Sequence, residues 1–151
     1  MERISYQEIP GEMFEKLLYL ENMANDSTLG MQLLELVRLR VSQINGCAYC
    51  VDMHYKELKH TGESELRMSS LSVWRETPYF SEKERAVLDF TEKLTLLSKE
   101  KVTDEVYDNL SSHLDKKEIV LLSLAISQIN TWTRLMKAFR FTPGKYQVQD
   151  N

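Results

Sequence analysis

The chain has 151 residues, of which 42% are hydrophobic and 28% charged, and it carries a net charge of −4. That is the make-up of one folded domain, and the acidic balance, with its basic residues scattered among acids, excludes a nucleic-acid surface. The most apolar stretch, Ile119 to Ile126, falls well short of the roughly 18 residues a membrane span needs, and no apolar signal-like run opens the chain, so a cytoplasmic location is expected.

Five glycines and three prolines point to long helices with short connections. Residues 1–9 read as an irregular lead-in, 10–147 as a helical domain and 148–151 as a short tail. Pro10 opens a first helix, since its missing N–H is not needed there, and Met13, Phe14, Leu17, Leu18 and Leu20 recur at helical spacing. Asn25 to Thr28 supplies turn and N-cap chemistry for a second helix. From Leu29 to Ile44 the apolar stripe is wide enough to be buried on more than one side. Asn45-Gly46 ends that helix, with Gly46 suited to a left-handed position, and a third helix runs from Cys47 to about His60.

Beyond Thr61-Gly62, residues 63–71 make a short helix, and Thr77-Pro78 is a boundary. Ser81 to Glu84 and Asp115 to Glu118 are capping boxes opening two further helices. Thr103 caps another, with Val106, Tyr107 and Leu110 on its inner face. The last helix carries Ile119, Leu122, Ile126, Ile129, Trp132 and Met136, a face apolar enough to be central or shared with another subunit. On it, Asn130 and Arg134 stand one turn apart and read as a structural or inter-subunit clamp. No strand-like alternation appears, so the fold class is all-α, with six to eight helices.

Chemistry concentrates in Asn45 to His54. It holds the chain's two cysteines, spaced C-x-x-C, and a histidine four residues after the second. On a helix Cys47, Cys50, His54 and Leu58 share one stripe. The imidazole of His54 then reaches Cys50, and Cys47 sits where the helix dipole favours thiolate. The spacing lets one sulfur resolve a sulfenic acid on the other. Glu35 interrupts an apolar stripe, and the Asn45-Gly46 turn makes His54 a candidate partner for it, completing a carboxylate–imidazole–thiol relay. The competing reading of Glu35 is a surface acid paired with Arg38 at i+3. For the cysteines the competitors are inert thiols and a zinc site, which has three ligands here and lacks a fourth.

Glu35, eleven intervening residues and then Cys47, Cys50 and His54 in C-x-x-C-x-x-x-H order resemble the alkylhydroperoxidase D-like branch of the carboxymuconolactone decarboxylase family. The flanking Ile44 to Tyr49, the late Ile129-Asn130-Thr131-Trp132 with Arg134, and Pro143 to Tyr146 are similar to that branch as well. The resemblance spans residues 10–147 and implies an all-helical subunit that assembles as a dimer, trimer or hexamer. It also implies thiol peroxidase chemistry without a cofactor or metal. Cys50 would be the peroxidatic sulfur, Cys47 the proton donor and resolving partner, and Glu35 with His54 the relay. The partners implied are a hydroperoxide and a dithiol donor of lipoyl or thioredoxin type. Tyr49 departs from members that carry a second histidine immediately before the second cysteine. The lactone chemistry of the decarboxylase branch, which lacks the cysteine pair, does not carry over. A protein that responds to oxidation without catalytic turnover is the alternative.

Overall fold

Seven α-helices and two short 3-10 turns build the computed structural model over its described residues, 1–149, and no strand occurs among them. The helices are α1 (Gly11–Asn25), α2 (Met31–Ile44), α3 (Ala48–His60), α4 (Glu65–Ser70), α5 (Glu82–Thr95), α6 (Asp104–Ser111) and α7 (Lys116–Phe139). Of the expected 148–151 tail, residues 150–151 lie outside the described part.

Side chains bind the orphan N–H groups at most helix starts. Ser81 with Glu84 and Asp115 with Glu118 form the two expected capping boxes, and the Thr103 hydroxyl accepts from Val106 N. The start of α2 differs from expectation. Asn25 closes α1, and its side chain is taken by Arg38, whose Nη2 donates to Asn25 Oδ1 at 2.6 Å. Gly30 stands at the N-cap instead, at φ 81°, a conformation that costs glycine little. The helix expected over residues 63–71 shrinks to α4, because the Glu63 carboxylate accepts from Ser64 N and Arg67 Nε ahead of it. A 3-10 turn, Leu71–Glu76, then tucks Trp74 inside.

Helix α2 runs through the centre. Leu34, Leu36, Val37, Leu39 and Val41 are each at most 1% exposed, so it is buried nearly all round. One side packs with α5 and α7 through Val87, Phe90, Leu122 and Ile126. The opposite side packs with α3 and the 3-10 turn through Leu58, Leu71 and Trp74. Each fully buried leucine of this kind contributes about 2 kcal/mol of transfer free energy. A third cluster joins Ile9, Met136 and Phe141 to the two cysteines, bringing both ends of the chain to the start of α3. The lead-in contains a 3-10 turn (Tyr6–Glu8), and Arg3 N–H donates to Phe139 O at 2.8 Å.

One inward assignment is corrected. Tyr107 is 40% exposed, because Val106 and Leu110 alone define the buried stripe of the short α6. Arg134 is exposed, its Nη1 donating to Asn130 O at 2.8 Å and Oδ1 at 3.0 Å, so no buried charge needs pairing. Asn130 acts as a clamp within the chain. Its Oδ1 accepts from Asn45 Nδ2 at 2.9 Å and its Nδ2 donates to Thr95 Oγ1 at 3.2 Å, tying the end of α2 to α5 and α7. Gly46 takes φ 61° as its place after α2 requires, and Lys137 Nζ donates to the carbonyls of Asn45 and Gly46.

Candidate active site

The turn at Gly46 delivers Cys47 to the N-cap of α3, one residue before the helix itself. There its sulfur accepts from Cys50 N at 3.3 Å and lies in the positive field of the helix terminus. Cys47 and Cys50 are joined as a disulfide with their Cα atoms 5.3 Å apart, and each residue is only 2% exposed. Along α3 the buried residues are Cys50, His54 and Leu58, the stripe expected from the spacing.

His54 Nδ1–H donates to Glu35 Oε2 at 2.7 Å, both side chains being nearly inaccessible. The other carboxylate oxygen, Oε1, accepts from Arg38 Nη1 at 2.7 Å. The two readings of Glu35 therefore hold together: it bonds His54 and Arg38 at once, and the Arg38 pair is buried. Burial alone would raise the Glu35 carboxyl, but the charge and hydrogen bonds of His54 and then Arg38 outweigh it and hold it below the ordinary carboxylate range. An ionised carboxylate only accepts, so Nδ1 carries a proton, which leaves Nε2 as the nitrogen able to exchange a proton with another group.

A cavity of about 120 Å³ opens onto this line. Cys50 and His54 both face it, whereas Cys47 does not line it. Its apolar wall comes from Phe14, Leu18, Met53, Trp132 and Met136, and its polar groups besides His54 are Glu21, Tyr6 and Tyr49. Tyr49 shares a hydrogen bond of 3.1 Å with Tyr6 OH and sets its ring edge-on to Phe141. Burial, and then that hydrogen bond, push the Tyr6 phenol far up, so it keeps its proton at neutral pH.

Sequence reasoning brought together Glu35, Cys47, Cys50 and His54. It missed the burial of Arg38 and the cavity residue Glu21. Glu21 carried the same signal as Glu35, an acid among the apolar positions Leu17, Leu18 and Ala24 of its own helix. Met53 and Met136 read as dispersed packing, because nothing local marks a cavity wall. Among the described residues, no group of three or more His, Cys, Asp and Glu side chains is arranged to hold a metal ion.

An all-helical domain with a paired-cysteine, histidine and carboxylate site is the class these features define. Residues 11–93, which include all four of those side chains, match the carboxymuconolactone decarboxylase family, and the chain belongs to that family. It is 38% identical over 134 residues to the uncharacterized protein YdfG of Bacillus subtilis (strain 168), covering 89% of this chain and 91% of that one. A protein of unknown function from Agrobacterium tumefaciens, for which an AhpD antioxidant-defence role has been proposed, superposes with a TM-score of 0.91 at 39% identity, over 97% of this chain and all of that one. An uncharacterized peroxidase-related protein from Ralstonia eutropha JMP134, with an alkylhydroperoxidase AhpD core, shares the fold at a TM-score of 0.78 and 19% identity, over 89% of this chain and 72% of its own. The architecture is AhpD-like.

Proposed function

We propose that the protein is a thiol-dependent hydroperoxide reductase. In the reduced state the Cys50 thiolate attacks the terminal oxygen of a hydroperoxide. The O–O bond breaks, sulfur keeps the hydroxyl as a sulfenic acid, and the alkoxide leaves as alcohol with the proton that His54 took from the Cys50 thiol. The Cys47 thiol then attacks the sulfenic sulfur, water departs and the disulfide forms. A dithiol donor reduces that disulfide by exchange and becomes a disulfide itself. The observation that carries this reading is that Cys50 and His54 face one cavity, with His54 held by an ionised Glu35. Because Cys47 and Cys50 are each 2% exposed, a slender dithiol such as a lipoyl arm suits the site better than the face of a thioredoxin domain.

The test is peroxide consumption coupled to a small dithiol. Wild type is expected to turn over, Cys50→Ser to lose at least about a hundredfold, and Cys47→Ser to stop after one oxidation with a sulfenic acid that a cyclic dione traps. Full turnover by Cys50→Ser would refute the assignment. The same burial supports a second reading, a redox-responsive protein that forms its disulfide without catalytic cycling. A disulfide that forms readily alongside negligible turnover with every dithiol would favour it.

A further inference from the structure

The cavity contains one carboxylate that the proposed reaction does not use. Glu21, on the last turns of α1, faces the same space as Cys50 and His54. Its Oε2 accepts from Trp132 Nε1 at 3.2 Å, which fixes the side chain against the cavity wall. Its Oε1 stands 3.8 Å from Arg38 Nη2, beyond hydrogen-bonding distance. That guanidinium is already committed to Glu35 at 2.7 Å and to Asn25 at 2.6 Å. No lysine or arginine lines the cavity. Glu21 therefore sets a carboxylate in a space whose other walls, apart from Cys50 and His54, are aromatic rings, aliphatic carbons and tyrosine hydroxyls.

A charge in such a place acts strongly on whatever enters. Low-polarity walls weaken dielectric screening, and salt screens an enclosed pair less than an exposed one. A like charge brought beside Glu21 is opposed on two counts: it repels the carboxylate, and it leaves water with no lysine or arginine in the cavity wall to receive it. A neutral guest meets neither obstacle, and a cationic one gains a partner.

Building on the hydroperoxide-reductase reading, we propose that Glu21 determines the charge preference of the site. Neutral and cationic organic hydroperoxides are admitted, and carboxylate-bearing ones, such as oxidised fatty acids, are rejected. The apolar wall selects an organic body, and Glu21 selects its charge. Glu21 is a specificity residue on this argument, not a member of the proton relay.

The experiment uses three hydroperoxides of one shape: cumene hydroperoxide, its para-carboxylate and its para-aminomethyl derivative. The readout is the ratio of kcat/KM for each charged substrate to that for the neutral one, measured within the same protein. In wild type the carboxylate is expected to trail the neutral compound by at least about tenfold. Glu21→Gln, which keeps the acceptor for Trp132, is expected to raise the carboxylate ratio about tenfold and lower the aminomethyl ratio. Leu18→Lys sets an ammonium one turn before Glu21 on the same helix and should move the carboxylate ratio the same way, giving a second route should Glu21→Gln fail to fold. Unchanged ratios in a folded variant overturn the inference while leaving the peroxidase reading intact. Failure of wild type to reduce even cumene hydroperoxide overturns that underlying reading instead.

Discussion

Replacing Glu35 by glutamine removes one negative charge and keeps the shape, and its consequences for rate and for stability follow from different contacts. His54 Nδ1 lies 2.7 Å from Glu35 Oε2. When His54 takes the proton of a thiol, the imidazolium is stabilised by a carboxylate whose charge centre lies about 4 Å away, worth at most about 4 kcal/mol at an effective dielectric near 20. Charge-assisted hydrogen bonds measure lower, about 2 kcal/mol, which is roughly thirtyfold in the oxidation step. The same substitution strands Arg38, whose side chain is 3% exposed. Losing one member of a buried pair costs about 3 kcal/mol or more, though Asn25 still accepts one bond. A melting temperature lower by roughly 10 °C is expected. The double variant Glu35→Gln/Arg38→Met removes the stranded cation as well. It should recover most of the lost melting temperature and none of the lost rate. Single-turnover oxidation of the reduced protein, followed against pH by stopped flow, separates the two effects. An oxidation rate within about threefold of wild type, with a superimposable pH profile, would refute the relay.

Acid should destabilise the protein in a defined window. Glu35, Glu84, Asp89 and Glu92 are each buried enough to be raised, yet their partners, His54 and Arg38, Arg67, Lys93, and Arg75 respectively, hold all four below the ordinary range. Their folded values lie under their unfolded ones, so the ionised forms favour the native state. That stability is complete above the unfolded values and is lost as pH falls through the folded ones, giving a melting temperature that is level above about pH 5 and drops below it. Glu92→Gln should flatten the slope by up to about 1.4 kcal/mol per pH unit, and a melting curve unchanged down to about pH 3 would contradict the assignment. Arg140 ends α7 in the left-handed region at φ 58°, so Arg140→Gly should stabilise by about 1 kcal/mol in chemical denaturation, and a loss of stability would show that its side chain outweighs the backbone strain. Tyr49→Phe removes the hydroxyl that meets Tyr6. It should leave the pH profile of thiol oxidation unmoved, and a displaced profile would place Tyr49 in the proton path.

Much of this was readable because the decisive signals are local. Capping boxes at Ser81 and Asp115, the glycine after α2 and the i, i+3, i+4 stripe through Cys50, His54 and Leu58 depend on residues a few positions apart. The start of α2 was misread because Asn25 had two uses, as a cap for its own turn and as an acceptor for Arg38 thirteen residues on. Arg38 itself looked like an ordinary i+3 surface partner of Glu35, and only the packing of α1 and α3 over α2 turns that pair inward. The cavity draws on both chain ends, with Tyr6 from the lead-in and Trp132 and Met136 from α7, and no spacing rule links residues that far apart.

Arg38 also answers an electrostatic question that the four-residue pattern leaves open. The proposed peroxide reduction at Cys50 requires the thiol proton to rest on a base, and burying a charged imidazole–carboxylate pair next to a thiolate is costly. With the proton on His54, the buried set is His54 and Arg38 as cations against Glu35 as the anion, one net positive charge to face a thiolate, while the half-buried Glu21 lies at the cavity wall. Without Arg38, the two carboxylates would face a single cation, and the added negative charge would disfavour a thiolate at Cys50. The Tyr6 phenol adds no charge to this balance, since it keeps its proton. Arg38 acts on this balance through Glu35 without lining the cavity, whereas Glu21 lines it.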